Sequence, residues 1–209
     1  MKKIIVTMTA PTCAGKSFLL DHLDSTEMYS KIPTYTTRVK RAGEVHGVDY
    51  FFVDEKEFNV LRGLHGGFIE DIEFNGGRYG MPAGFFEERI NADDKIPVII
   101  CTPDGVRIYE KYAADNDLIH VKVFVFTEEK TRLNRLINRT FKAVRASSSE
   151  DEIKNAIFSN INRCRDIYVK ECNWFGQFKW DVVVSGERGV DVAEAMISKK
   201  IEQLKEVYK

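Results

Sequence analysis

The chain has 209 residues, enough for one domain with a sizeable core, and a formal net charge of −1. That balance excludes a general nucleic-acid or membrane-surface binder, because no net positive field would draw in a polyanion. Cys13, Cys101, Cys164 and Cys172 show neither C-x-x-C spacing nor the density of a disulfide scaffold; free thiols in a reducing cytoplasm are expected.

Short apolar runs alternate with amphipathic stretches along the chain. Residues 3–8 (KIIVTM) read as a buried strand, too short and threonine-rich for a signal peptide or a membrane span. The strand runs into APTCAGKS and a helix near 16–24. After an irregular middle come strands at 96–101 (IPVIIC), 119–126 (IHVKVFVF) and 181–184 (DVVV). Helices are expected near 104–115, 128–141, 151–172 and 189–207, with RASSSEDE (145–152) the nearest thing to a flexible insert. Strands alternating with helices imply an α/β fold, a parallel sheet flanked by helices. Ligands of such sheets sit beyond the carboxyl ends of the strands.

Residues 32–82 break the rhythm. DEKEFNVLRG reads as a helix, with Asp54 as its cap and Glu57 completing a capping box. FIEDIEFNGGRYG reads as two short strands around an Asn-Gly-Gly turn. A small mixed or antiparallel flap inserted into the α/β core accounts for both.

APTCAGKS (residues 10–17) is one residue short of G-x-x-x-x-G-K-[ST], with Ala10 where the first glycine belongs. It lies after a strand and before a helix, as a phosphate-binding loop must. The amides of Pro11–Ser17 that carry a hydrogen (Thr12, Cys13, Ala14 and onward) face an anion at the positive end of the helix dipole. Gly15 permits close backbone approach, Lys16 can reach β- and γ-phosphates, and the Ser17 hydroxyl can ligate Mg²⁺. Alanine at position 10 matters only if that residue needs a positive φ.

TYTTRVKRAGEVHGVDYFFV (34–53) places Arg38 and Arg41 in a loop, followed by Tyr50 and, later, Tyr79. Two guanidinium forks and two phenols suit oriented capture of a phosphate monoester dianion. Further on, Arg132, Arg135 and Arg139 recur at helical spacing on one face. Lys142 and Arg145 follow in an expected loop, and Arg163 and Arg165 stand on a later helix.

The loop, the 34–53 segment and FIEDIEFNGGRYGMP (68–82) together resemble the guanylate kinase family. Its pattern runs S-x-T-T-R-x-x-R-x-G-E-x-x-G-x-D-Y-x-F-V, then F-[IL]-E, then Y-G. The resemblance implies a P-loop nucleoside monophosphate kinase that moves the ATP γ-phosphate to GMP or dGMP with Mg²⁺. It implies that Arg38, Arg41, Tyr50 and Tyr79 hold the acceptor phosphate. It also implies that Glu70 accepts from guanine N1–H and the 2-amino group, with Thr34 at O6. The family's R-L-x-x-R lid motif matches Arg135 to Arg139, with a further lid arginine at Arg163 or Arg165. The domain division follows: core 1–33, 83–127 and 173–209, a monophosphate-binding insert about 34–82, and a lid about 128–172.

Two positions depart from the pattern. Met81 stands where the family has a serine or threonine near O6, and Thr102 where it has an aspartate. They leave open a kinase for another or modified deoxynucleotide. A non-catalytic phosphopeptide-binding module of the same family is a further alternative, opposed by the intact Gly15-Lys16-Ser17. His22, His46, His65 and His120 lack metal-ligand spacing. No acid follows a strand in Walker-B fashion. Trp174, Phe175 and Trp180 read as packing residues. Partners are ATP and a nucleoside monophosphate, with no nucleic acid or membrane; oligomeric state is open.

Overall fold

A computed structural model describes residues 2–208 apart from 42, 75, 93, 147 and 148, with side chains at all of these but 143, 146, 156, 159, 160, 163, 164 and 166–168. The chain begins with β1 (Ile4–Thr9), buried at all six positions, and α1 (Lys16–Asp24). Next come β2 (Tyr29–Lys31), β3 (Tyr35–Thr36), β4 (Phe51–Phe52), α2 (Glu55–Arg62), β5 (Phe68–Phe74), β6 (Gly77–Pro82) and α3 (Ala83–Ala92). The remainder is β7 (Ile96–Ile100), α4 (Pro103–Asp115), β8 (Ile119–Phe126), α5 (Glu129–Ala146), α6 (Glu150–Val169), β9 (Val182–Ser185) and α7 (Val190–Val207).

Five strands form a parallel sheet in the order β2-β7-β1-β8-β9. Side chains alternate across a strand, and β1 uses both faces. Ile4, Val6 and Met8 join the cluster under α1 and α7, with Leu19, Leu23, Ala193 and Ile197. Ile5 joins the opposite cluster with Phe86 and Ile90 of α3 and Val106 and Tyr109 of α4. Burial on both faces is why these strands carry near-continuous apolar runs.

The middle segment builds a second, four-stranded sheet in the order β4-β3-β6-β5. Its β5–β6 hairpin is antiparallel and turns between Phe74 and Gly77; Gly76 takes φ 73°, while Asn75 lies outside the described residues. The inserted flap, expected to be mixed or antiparallel, is mixed: β3 and β4 pair in parallel, the other strands antiparallel. Asp54 caps α2 as foreseen: its carboxylate accepts from Glu57 N–H at 2.7 Å, and Glu57 accepts from Asp54 N–H at 3.1 Å.

Three features were not foreseen. β2 has only three residues, too few for a periodic signal, and α3 begins directly on a proline-terminated strand. The third is the length of α5, which extends to Ala146, so Lys142 and Arg145 lie on a helix rather than in a loop. KAVRA contains no glycine or proline to stop it. No helix among the described residues is long and apolar enough to cross a membrane.

Candidate active site

β1 delivers the chain to APTCAGKS at its carboxyl end. Gly15, at φ 96°, is the N-cap of α1, and no side chain caps the helix. The first-turn N–H groups, which have no intrahelical partners, are left to an anion. Cys13 also takes a positive φ, 62°. Ala10 does not; it is 1% exposed and packs in the core beneath the loop. The departure from the glycine pattern is thereby explained: the position needs a small residue, not left-handed backbone. Ala10 consequently supports the loop from below instead of lining the cleft as expected.

The loop is held from several directions. The Thr127 hydroxyl donates to Ala14 O at 2.8 Å. Arg135 of α5 donates Nη1 to Cys13 O at 3.1 Å and Nη2 to Gly186 O at 2.8 Å. Gly186, just beyond β9, carried no motif that singled it out. A Cβ on it would meet Ala14 O at 1.9 Å, so only glycine fits against the loop.

A cleft of about 1310 Å³ opens above the loop. Lys16, Ser17, Thr34, Arg38, Arg41, Tyr50, Glu70, Tyr79, Thr102, Arg135, Arg139 and Arg165 all line it. The phosphate loop, the second sheet and the α5–α6 pair therefore share one space. Of the two candidates on α6, Arg165 is a wall residue, and the Arg163 side chain lies outside the described residues. Trp174 is not simple packing: it lines the cleft and meets Phe74 of β5, ring centroids 5.5 Å apart.

Positive charge is concentrated here. Burial lowers the Lys16 pKa, and Arg41 adds to the fall. Burial also lowers that of Arg41, as do the like charges of Arg38 and, from α5, Arg139. Buried donors without hydrogen-bond partners among the described residues include Arg38 Nε and Arg139 Nη2. Such donors are costly unless an anion meets them. Glu44, which sequence reasoning passed over, accepts from Arg38 Nη2 at 2.8 Å and Nη1 at 3.0 Å, and from Arg41 N–H at 2.8 Å. Burial works to raise its pKa, but these bonds hold it below the usual carboxylate value. Glu44 fixes the shape of the arginine loop while leaving Arg38 Nε unmatched.

Glu70 is 1% exposed, and Tyr109 of α4 donates to it at 3.2 Å. Burial pushes its carboxyl up to about 8. A Cβ on Gly105 would stand 2.3 Å from Glu70 Oε1, so that glycine makes room for the acid. Thr102 caps α4, its hydroxyl accepting from Gly105 N–H at 3.3 Å. Thr34 is 5% exposed and lines the same region.

Met81 is the clear correction. Expected at the base edge, it is fully buried in the cluster of Ile5, Phe86, Ile99 and Tyr109 and does not line the cleft. It neighbours Glu70 in the β5–β6 register, but its long apolar side chain is drawn into the core under α3 and α4. His22 gives a second surprise. Its Nε2 lies 2.8 Å from Glu194 and 3.6 Å from Asp191, a polar cluster between α1 and α7, although the four histidines have no ligand spacing in sequence.

The family model described as Guanylate kinase matches residues 1–168. A guanylate kinase of Prochlorococcus marinus is 29% identical over 199 residues, covering 94% of this chain and 96% of its own. One from Mycoplasma pneumoniae is 30% identical, covering 91% and 72%. The crystal structure of guanylate kinase from Anaplasma phagocytophilum superposes with a TM-score of 0.58 over 97% of this chain and 86% of that one; at 22% identity it speaks for the fold. An uncapped loop beneath a basic cleft, in a chain whose sequence matches that family over most of its length, makes the conclusion direct: this chain belongs to the guanylate kinase family and is an ATP-dependent nucleoside monophosphate kinase.

Proposed function

We propose that the chain phosphorylates GMP or dGMP, with the loop holding the ATP phosphates and the second sheet holding the acceptor. The supporting observation is the convergence of Lys16, Arg38, Arg41 and Arg139 on one cleft, with buried guanidinium donors that lack partners among the described residues. In this reading Arg38, Arg41, Tyr50 and Tyr79 orient the acceptor phosphate. Lys16, Arg135 and Arg139, with Arg163 or Arg165, neutralise charge that builds between donor and acceptor. A phosphate oxygen is already ionised near neutral pH, so no general base is needed. Catalysis is positioning plus electrostatic stabilisation.

The residues also fit Mg²⁺. Ser17 lines the cleft beside Lys16, and Asp49, a carboxylate of the adjoining hollow, is engaged by Lys31 at 3.3 Å and Val45 N–H at 2.7 Å. Ser17 is thus the protein oxygen for a cation that keeps water and phosphate as its other ligands. Bound there, Mg²⁺ supplies charge neutralisation across the phosphates.

Residues 1–33, 83–127 and 173–209 act as the core, 34–82 as the acceptor-binding unit and 128–172 as a lid, in the cytoplasmic setting expected from the thiols. Glu70, Thr34 and Thr102 sit at the base end, and Met81 contributes packing there. With Met81 out of the cleft, one reason to suspect a different base is gone. A phosphopeptide-binding role is disfavoured by Lys16 facing the cleft. A panel of GMP, dGMP, AMP, dAMP and pyrimidine monophosphates tests the proposal: kcat/KM is expected to favour the two guanine nucleotides. Preference for any other base would overturn it.

A further inference from the structure

Helix α6 ends at Val169, and the chain then turns through residues 170–174 into a short 3₁₀ helix, Phe175–Gln177. This turn is mounted on the core at two points. Glu171, 2% exposed, accepts from Thr12 of the phosphate loop twice: the backbone N–H donates to Oε2 and the hydroxyl to Oε1, both at 2.7 Å. Phe175 packs against Phe124 of β8, ring centroids 5.3 Å apart. Between them Trp174 is 7% exposed, and its N–H donates to Glu171 O at 3.3 Å. From this mount Trp174 enters the cleft wall and meets Phe74, the last residue of β5, with centroids 5.5 Å apart and planes inclined by 47°.

The contact matters because of what Phe74 carries. It pairs with Gly77 of β6 across the hairpin turn. A Cβ on Gly77 would stand 2.9 Å from Arg38 Cβ, so the hairpin lies directly against the arginine loop. Thr37 N–H donates to Arg78 O, and Arg78 N–H to the Thr37 hydroxyl, both at 3.1 Å. Glu70, where α4 holds β5, is about 13 Å back along the strand from Phe74. The far end of the hairpin therefore needs support of its own, and Trp174 meets it there.

We propose that Trp174 is a positioning residue for phosphoryl transfer: tied to the phosphate loop through Glu171, it sets the reach of the β5–β6 hairpin and so the place of Arg38 opposite that loop. The donor phosphates rest on the loop that Glu171 bonds, and the acceptor phosphate on the arginines that the hairpin backs. One turn of chain thus spans both halves of the reaction. Misplacement by about 1 Å costs near 10²-fold in such a transfer. An aromatic pair suits the task, because its rings hold a preferred separation and inclination.

This inference rests on the reading of Arg38 as a holder of the acceptor phosphate, and the test separates the two. In the full chain without nucleotide, hydrogen–deuterium exchange of β5 and β6 reads the hairpin with no reference to activity. Trp174→Ala is expected to speed that exchange several-fold while leaving β1 as in wild type. The single-turnover rate of transfer to GMP, at saturating nucleotides, should fall by about tenfold or more. Affinity for ATP should hold, because Glu171 still bonds Thr12. Trp174→Phe, which keeps a ring on the same mount, should restore both exchange and rate. Phe74→Leu removes the other ring and should reproduce both effects, and adding Trp174→Ala to it should change little more. The leucine variant decides the matter should Trp174→Ala not fold. Unchanged exchange in either variant, or faster exchange with an unchanged transfer rate, would overturn the proposal. An Arg38→Ala chain with the wild-type KM for GMP would defeat the acceptor reading and leave the hold of Trp174 on the hairpin standing.

Discussion

Gly186 lies against Ala14 so closely that a methyl group on it would stand 1.9 Å from the Ala14 carbonyl oxygen and 2.3 Å from the Thr127 hydroxyl. Both are fixed points of the phosphate loop, since Thr127 holds that same carbonyl. Gly186→Ala must therefore push the loop off its seat. Misplacement by about 1 Å is enough for losses near 10²-fold, so kcat/KM for ATP should drop by about that factor. Steady-state kinetics checks this, and unchanged kinetics would mean that the loop yields without consequence.

Lys16→Ala removes a charge that burial disfavours. The loss should fall on turnover, about 10²–10³-fold in kcat, with thermal stability held or slightly raised because no buried ion remains to be solvated. A melting curve beside a coupled assay tests both halves. Equal turnover for variant and wild type would refute the role given to the lysine.

Glu70 makes stability depend on pH. Its carboxyl titrates near 4.5 when unfolded and is pushed up to about 8 by burial in the folded chain. Between those values the folded state keeps a proton that the unfolded state has released. The contribution of Glu70 to stability should therefore fall as pH rises from about 4.5 to 8, opposed up to about 6.5 by His120, whose burial lowers its pKa to about 4. Under the role proposed for Glu70, guanine binding through two acceptors needs the ionised form, so GMP affinity should strengthen over the upper part of the same range. Glu70→Gln should remove the fall above about pH 6.5 and leave the rise due to His120 below it. Urea unfolding at several pH values, with GMP titrations alongside, would expose an error in either sign.

Met81→Thr tests whether the residue belongs to the core or to the base edge. Truncating a fully buried methionine should cost about 2–4 kcal/mol, and a buried hydroxyl would add to that. The ratio of kcat/KM for GMP over AMP should change by less than about threefold. A large change in that ratio at modest cost in stability would return Met81 to the cleft.

The parallel sheet was legible in the sequence because strands buried on both faces leave continuous apolar runs, as in Ile4–Met8 and Ile119–Phe126. The loop was legible because Gly15-Lys16-Ser17 are neighbours in the chain. Contacts made across long separations were not. Thr12 with Glu171, Gly105 with Glu70 and Gly186 with Ala14 depend on elements that only folding brings together. Met81 misled for a related reason. A position in a pattern predicts where the Cα goes, while the side chain answers to its own chemistry, and a thioether beside Phe86 and Tyr109 turns inward.

The seat of Glu70 on α4 has a mechanical consequence. β5 is pinned there by Tyr109, and the missing side chain of Gly105 lets the strand lie hard against the helix. Arg38 and Arg41, by contrast, stand in the loop after β3, whose shape is set inside the insert by Glu44. Under the proposed reading, the end of the cleft that meets the base is braced by the core, and the loop that meets the acceptor phosphate takes its shape from the insert itself.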